Sequence, residues 1–223
     1  FTFTRGSDDV VVQPEPGVDA ASIAREFPGT VEPIILQGLG WQVLHASASV
    51  AARGDVLVFC GASGSGKSTL AYAMQSAGHV QFADDSVVLS RSAGNLVAWP
   101  RAFVPSLRSA SRDHFDRHPV RVRAFPRPRA EACRVRAIFL VRQDAALAEA
   151  VTIAPVPKPR ALAALLPHVH AIDASAGPAS RDLVEFYLAI VESTPIIDVA
   201  YRPDLARLDR LVDVVIDAAA RAS

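Results

Sequence analysis

The chain has 223 residues, and its 23 Lys and Arg residues balance its 23 Asp and Glu residues. Half of the residues are hydrophobic, which argues against a disordered chain and predicts a sizeable core. The balanced charge and the lack of a nucleic-acid-binding motif argue against a nucleic acid partner, and no apolar run reaches the roughly 18 residues of a membrane span. We therefore predict a cytoplasmic protein without membrane contact.

Residues 1–40 contain short apolar runs such as FTFT and VEPIILQ, which are interrupted by Pro14, Pro16, Pro28 and Pro33. Short apolar runs between prolines are typical of β-strands in an irregular region. The sequence therefore predicts a strand-rich N-terminal portion over 1–40, followed by a larger domain over 41–223.

The next segments alternate between strand and helix patterns. WQVLHASASV predicts a strand, and the continuous apolar run at 56–60 predicts a buried central strand. A glycine-rich stretch follows, and KSTLAYAMQSA then predicts a helix that ends at Gly78. HVQFA predicts the next strand, so this region reads as strand, loop, helix and strand.

Residues 85–99 predict a β-hairpin that turns at SAGN, whereas residues 100–131 are rich in proline and arginine and show little periodicity. We interpret this basic segment as a long functional loop. VRAIFLV and PIIDVAY predict two more strands, and we expect helices at about 159–171, 180–192 and 204–220. The alternation predicts an α/β fold, with a sheet flanked by helices.

The stretch GASGSGKS matches the phosphate-binding (P-loop) motif G-x-x-x-x-G-K-[ST] at every fixed position, between a predicted strand and a predicted helix. In this motif the loop amides bind phosphate oxygens, the lysine reaches the β- and γ-phosphates, and the last hydroxyl binds Mg²⁺. Only two of the 23 basic residues are lysines, so Lys67 stands out in an arginine-rich chain. We predict that ATP and Mg²⁺ bind through Gly61, Ala62, Ser63, Gly64, Ser65, Gly66, Lys67, Ser68 and Thr69.

Two adjacent carboxylates, Asp84 and Asp85, follow the HVQFA strand. If this strand runs parallel to 56–60, both carboxylates leave the same edge of the sheet as the glycine-rich loop, where α/β sheets bind ligands. One can then hold the metal, and the other can take a proton from an attacking hydroxyl. Ser68 and Asp85 are the candidate metal ligands, and Asp84, Asp85 and Lys67 are candidate catalytic residues. The sequence does not decide which aspartate is the base, and a turn-forming pair is the structural alternative.

His45, in LHASASV, is the last candidate catalytic residue. We expect its strand to lie beside the strand that precedes the loop, so that the imidazole hydrogen-bonds an aspartate carboxylate and tunes its basicity. A purely structural histidine is the alternative.

The ordered set LHASASV, GASGSGKST and AGHVQFADDSVVL resembles the catalytic core of HPr kinase/phosphorylase and related P-loop serine kinases, over about residues 44–89. The resemblance implies an HPr-kinase-like P-loop sheet, with His45 as the family histidine and the Asp84–Asp85 pair as the catalytic and metal-side carboxylates. The glycine-containing stretch that bifunctional members use for dephosphorylation is not found. The chain is therefore more similar to short HPr-kinase-related proteins, including kinases of ribosomally made precursor peptides such as lasso peptides.

The leading prediction is an ATP-dependent kinase that phosphorylates a serine hydroxyl of a peptide or small protein. A kinase for a small-metabolite hydroxyl and a non-catalytic, nucleotide-regulated binding module are the alternatives. We expect Arg101 and Arg108 to fold back over the γ-phosphate and to border the acceptor groove, because they come soonest after the hairpin. An exposed surface loop is the alternative for this segment. The oligomeric state stays open, a homo-oligomer included.

Overall fold

The structure is a computed structural model, and it describes the chain except for residues 5–8, 52–53, 102, 104, 120–130, 171–176 and 223. Within the described residues, a nine-stranded mixed sheet carries helices on both faces. The predicted α/β class with a sheet flanked by helices is therefore confirmed. Part of the predicted basic segment, residues 120–130, lies outside the described residues.

The N-terminal portion is largely helical, so the prediction of a strand-rich region over 1–40 was wrong. Pro28 and Pro33 occupy early helical positions, where their missing N–H groups cost nothing, instead of separating strands. Asp19 caps the first helix by accepting the Ser22 N–H at 2.6 Å. The elements are β1 (Thr2–Phe3), β2 (Val10–Val11), α1 (Ala20–Glu26), a π-helical turn (Phe27–Val31) and α2 (Glu32–Gly38).

The following residues alternate between strands and helices, as the sequence predicts. Short 3₁₀ turns extend three of the elements, at Met74–Ala77, Leu166–His168 and Leu205–Arg207. The elements in chain order are β3 (Gln42–Leu44), β4 (Ala46–Val50), β5 (Val56–Cys60), α3 (Lys67–Ala73), β6 (Val80–Ala83), β7 (Val87–Ser92), β8 (Asn95–Trp99), α4 (Ser109–Arg117), β9 (Cys133–Gln143), β10 (Val151–Pro155), α5 (Lys158–Leu165), α6 (Gly177–Ser193), β11 (Ile196–Tyr201) and α7 (Leu208–Arg221).

The sheet runs in the order β3-β7-β8-β9-β5-β4-β6, and β11 adds to β9 with β10 beside it. The central strand β5 is buried on both faces, which explains its uninterrupted apolar sequence. Its alternate side chains enter two cores: Val58 packs with the core under α5 and α6, and Phe59 packs with the core under α3 and α7. The two helical layers thus hold β5, and the loop after it, in place.

The single strand predicted over 41–50 is two strands with different partners. β3 pairs with β7, whereas β4 pairs with β5 and β6. His45 occupies the break between them, so the change of partner places this histidine where the two parts of the sheet meet.

One further prediction is confirmed, and two elements differ from the sequence-based expectations. The hairpin of β7 and β8 turns at Ala93 and Gly94, both with positive φ, as predicted. The segment predicted as a loop contains α4, and β10 was not predicted. In the part of the chain that the structure describes, no helix is long and apolar enough to cross a membrane.

Candidate active site

The strands β5 and β6 end at the same edge of the sheet. Each pairs antiparallel with β4, which lies between them, so the two run in the same direction. The strands β9 and β11 also run parallel to β5. The glycine loop (residues 61–68) and the turn at Asp84 and Asp85 therefore leave the sheet side by side.

The glycine loop curls around its own lysine. Gly64 and Gly66 have φ values of 84° and 94°, which favour glycine, and Gly66 directly precedes α3. Lys67 is buried, and its Nζ donates to the carbonyls of Gly61 at 2.8 Å and Ala62 at 3.2 Å. Burial lowers the pKa of Lys67. Both partners are neutral carbonyls, so an anion in the loop would give this ammonium group a partner of opposite charge.

A tyrosine from the far end of the chain supports the loop. The Tyr201 hydroxyl, at the carboxyl end of β11, donates to the Ser65 carbonyl at 2.9 Å and accepts from Gln143 Nε2 at 3.0 Å. A Cβ atom at Gly66 would overlap this hydroxyl, so Gly66 is required by close approach as well as by φ. Sequence reasoning missed Tyr201 and Gln143, because nothing in the local pattern marks them.

Asp84 is buried behind the loop and is fully engaged by hydrogen bonds. Its Oδ1 accepts from Ser47 Oγ at 2.6 Å, and its Oδ2 accepts from the Ser106 N–H at 2.7 Å. Ser47 Oγ also lies 3.5 Å from Ser68 Oγ, which links the carboxylate to the hydroxyl of the motif. Burial raises the pKa of Asp84, and hydrogen bonds from Ser47, Ser106 and Ser68 oppose that rise.

Asp85 faces the opening instead. It is half-buried and has a φ of 62°, an uncommon value for a residue with a side chain. The Ser86 N–H donates to the Asp84 carbonyl at 2.8 Å, which closes a three-residue turn around Asp85. The two adjacent carboxylates thus point into different surroundings.

His45 contacts the main chain of Asp85 and not a carboxylate. Its Nδ1 lies 3.0 Å from the Asp85 carbonyl oxygen. The following strand, β4, lies beside β5, as predicted. Among the described residues, the expected bond from His45 to an aspartate carboxylate is not found, since its Nδ1 lies against the Asp85 carbonyl oxygen instead.

The two candidate arginines lie in different places. The guanidinium of Arg108 lies against Gly64, and its Nη2 donates to Ser63 Oγ at 3.3 Å. Arg101 forms an ion pair with Glu32 of α2 instead of approaching the loop. The structure therefore brings Arg108, but not Arg101, to the glycine loop.

The helix α4 is tied to the loop helix by a pair of hydroxyls. Thr69 Oγ1 lies 2.9 Å from Ser111 Oγ, near the start of α4. The bond between the Ser106 N–H and Asp84 secures the preceding residues. The segment that begins at Ser106 thus closes one side of the site.

A cavity of about 370 Å³ lies between these groups. The end that contains the motif side chains is polar. Its lining includes Asp85 but not Asp84, which lies deeper. The polar end is formed by His45, Lys67, Ser68, Asp85 and Arg108, Tyr201 reaches the loop, and the lining is completed by residues that include Pro203, Asp204, Leu205 and Leu208.

A larger cavity of about 800 Å³ lies between β8, β9, β10 and the helices α5, α6 and α7. None of the predicted site residues lines it. Lys158 and Glu192, both on its rim, neutralise each other at 2.6 Å. The chemistry that the sequence predicts is therefore concentrated in the smaller cavity.

Comparison with known proteins finds a likeness to solved structures. No protein-family model matches the chain, and no curated protein matches it. Among solved structures, the HPr(Ser) kinase/phosphatase from Coxiella burnetii is similar to it with a TM-score of 0.43 and 12% sequence identity. The similar region covers 79% of this chain and 95% of that chain.

Proposed function

We propose that this protein is an ATP-dependent kinase that transfers the γ-phosphate to a serine hydroxyl of a peptide or small protein. One observation carries the proposal: a single cavity is lined by the lysine and hydroxyl of a complete phosphate-binding motif and by a carboxylate that can accept a proton. A protein that only binds nucleotides has no need of that carboxylate.

The phosphates would lie along the glycine loop. Its curled backbone presents amide groups to phosphate oxygens, and Lys67 would exchange its carbonyl partners for the β- and γ-phosphates. Arg108, already at the loop, would add a second positive charge opposite Asp85. The part of the lining that follows β11, with Pro203, Asp204, Leu205 and Leu208, would then receive the nucleoside.

The residues at the polar end fit Mg²⁺. The donors are oxygens, as this ion prefers, and Ser68 Oγ is connected to the Asp84 carboxylate through Ser47. Within the described residues no group of three or more His, Cys, Asp or Glu side chains could hold a metal alone. This suits an ion bound through one or two protein groups plus substrate phosphates. When bound, Mg²⁺ would neutralise charge on the β- and γ-phosphates.

The surroundings of the two aspartates favour a division of labour. Asp84 is buried, hydrogen-bonded through both oxygens and linked to Ser68 through Ser47. It would therefore orient the Ser68 hydroxyl, which is the candidate metal ligand. Asp85 faces the cavity, so it would accept the proton of the serine hydroxyl as that oxygen forms its bond to the γ-phosphorus and the bond to ADP breaks. Asp85, a candidate metal ligand in the sequence analysis, is thus proposed as the catalytic base.

Two features support a peptide or small protein as the phosphate acceptor: the resemblance of residues 44–89 to P-loop serine kinases, and the basic segment beside the cavity. Ser106 and Arg108 line the opening and begin the basic stretch that could receive an extended chain. A kinase for a small-metabolite hydroxyl would use the same chemistry, so the acceptor has to be tested directly.

The test is phosphate transfer from γ-labelled ATP to serine-containing peptides encoded beside the gene and to small hydroxylated metabolites. We expect labelling of a peptide, with kcat lowered roughly 100-fold or more in Asp85→Asn and ATP affinity unchanged. Asp213→Asn, at an exposed position of α7, is the matched surface control. Nucleotide binding without transfer to any acceptor would favour the binding module, and labelling of metabolites alone would favour the second kinase reading.

A further inference from the structure

The larger cavity lies where the sheet divides. The strand β9 pairs with β8 at Cys133 and Arg134, and it pairs with β11 only from Ile138 onward. The first residues of β8 and of β11 line the cavity, together with residues 134–136 of β9. The cavity of about 800 Å³ therefore occupies the interval between the two strand pairings, so it follows from the strand order.

This cavity is at the opposite edge of the sheet from the candidate active site. The strands β9 and β11 run parallel, begin at the larger cavity and end at Gln143 and Tyr201, beside the glycine loop. The two cavities share no lining residue. A ligand in the larger cavity would therefore be separate from the nucleotide and from the phosphate acceptor.

The walls of the larger cavity are mainly apolar. Their side chains come from three strands, from α6 and from the segment before α5, and they include Leu96, Val135, Ile153, Val156, Val191 and Ile196. A concave space of this volume with mostly apolar walls and a few polar groups is typical of small-molecule sites. The walls thus favour a ligand with an apolar body.

The charged side chains of the cavity are mostly basic. Of the five in its lining, four are cationic and only Glu192 is anionic. Lys158 neutralises Glu192 at 2.6 Å. Within the described residues, Arg134 and Arg221 form no hydrogen bond or ion pair through their side chains. Two guanidinium groups at the cavity thus carry positive charge that no carboxylate of the described chain neutralises.

The carbonyl ends of α6 and α7 also meet the cavity, and their partial negative charge would disfavour an anion. Both ends are covered. Arg136 Nε donates to the Ala219 carbonyl at 2.6 Å and its Nη2 to the Ala220 carbonyl at 3.3 Å, in the last turn of α7. Lys158 Nζ donates to the Glu192 carbonyl at 3.3 Å, near the end of α6. The positive charge of the other two cationic groups is therefore not offset by the helix ends.

The same contacts bring those two groups together. Arg134 precedes Arg136 by two residues on β9, and Arg221 directly follows the α7 residues that Arg136 contacts. Arg136 therefore joins the two backbone segments that carry the unpaired guanidinium groups.

We propose that the larger cavity is a second ligand site, which binds an amphipathic anion. Its apolar body lies between the walls, and its carboxylate or phosphate head group binds Arg134 and Arg221. Arginine suits both head groups, because its planar guanidinium donates paired hydrogen bonds to a carboxylate or a phosphate. The proposal is independent of the kinase function, since it uses none of the residues assigned to that function.

The test is isothermal titration calorimetry of the full chain with octanoate and with octanol, which has the same apolar body and no charge. We expect octanoate to bind roughly tenfold more tightly than octanol, because charge-assisted hydrogen bonds form only with the carboxylate. Octyl phosphate replaces octanoate in a second titration, and tighter binding of either anion supports the site and identifies its head group.

Variants test the two parts of the site. Arg134→Gln and Arg221→Gln should each weaken octanoate binding about tenfold and leave octanol binding unchanged. Arg210→Gln is the matched control, because Arg210 is exposed on α7 outside the cavity lining. Ala154→Trp, at an exposed lining position of β10, should weaken binding of both ligands by filling the cavity. Thermal melts confirm that each variant is folded.

Three results would overturn the proposal: no binding of octanoate or octyl phosphate, equal affinity for the anions and octanol, or unchanged octanoate binding in both arginine variants. ATP affinity should be the same with and without octanoate present at the larger cavity's Arg134→Gln variant and in wild type. Loss of kinase activity leaves these titrations interpretable, so failure of this site and failure of the proposed function are distinguishable.

Discussion

The glycine loop and the Asp85 turn leave the same edge of the sheet, and both contain residues with positive φ. These residues are glycines in the loop and an aspartate in the turn. The loop uses Gly64 and Gly66, whose positive φ values are free of side-chain strain. The turn uses an aspartate at a φ of 62°. The loop has to present bare amides, so side chains would obstruct it, whereas the turn has to present a carboxylate and accepts strain to do so.

The two bends are also supported differently. The loop is supported by a contact to its backbone, since the Tyr201 hydroxyl donates a hydrogen bond to the Ser65 carbonyl. The same hydroxyl lies so close to Gly66 that there is no room for a Cβ atom there. The turn is supported at its carbonyl by His45. The glycine loop therefore depends on close packing against its backbone, whereas the strained turn at Asp85 depends on a hydrogen bond to its carbonyl.

The largest effect is expected from adding a methyl group to the loop. Gly66→Ala combines a disfavoured φ of 94° with overlap of the Tyr201 hydroxyl, at a cost of about 3 kcal/mol, or more than 100-fold in ATP affinity. Isothermal titration calorimetry would measure it. The double variant Gly66→Ala with Tyr201→Phe should recover part of the affinity, because the overlapping oxygen is removed. Equal affinity of Gly66→Ala and wild type would break the comparison.

The next effect concerns the ammonium inside the loop. Lys67→Ala should weaken ATP binding about 50-fold, because charge-assisted hydrogen bonds to phosphate are lost. The other lysine of the chain supplies the control: Lys158 is exposed and paired with Glu192, and Lys158→Ala should bind ATP as wild type does. Binding measured by the same calorimetry would decide, and equal losses in both variants would rule out a specific role for Lys67.

The two arginines of the basic segment form a matched pair. Arg108→Ala should lower phosphate transfer about tenfold, because Arg108 lies at the loop near the cavity. Arg101→Ala removes an ion pair with Glu32 far from the loop, so it should alter thermal stability and leave transfer rates unchanged. Steady-state kinetics and thermal melts of both variants make the test. A rate loss in Arg101→Ala alone would contradict the assignment.

The smallest expected effect is a change in the pH dependence of folding stability. Burial raises the pKa of Asp84, so ionising this carboxylate costs folding free energy, and this contribution falls as pH rises from 3.8 through the folded pKa. Asp84→Asn keeps partners for Ser47 and Ser106, and it should raise stability at neutral pH by about 1 kcal/mol, or roughly 3 °C. Melts from pH 4 to 7 should show a flatter dependence. A less stable variant at pH 7 would show that the carboxylate is favourable when charged.

Patterns that depend on nearby residues were predictable from the sequence. The buried strand β5, the glycine loop and α3 follow from an apolar run, a fixed motif and a helical stretch ended by Gly78. The N-terminal portion was mispredicted because Pro28 and Pro33 interrupt strands and begin helices equally well. Local pattern alone cannot decide between those two uses of proline.

Sequence by itself determined which groups this protein can bring to a phosphate: a lysine, a hydroxyl and two adjacent carboxylates, all within residues 67–85. Only the tertiary structure decided how they are used, because those contacts cross the sheet. It buried Asp84 behind Ser47 and turned Asp85 outward. It also brought Tyr201 to the loop and residues 168–170 alongside β3, through strand order and register that no local periodicity encodes.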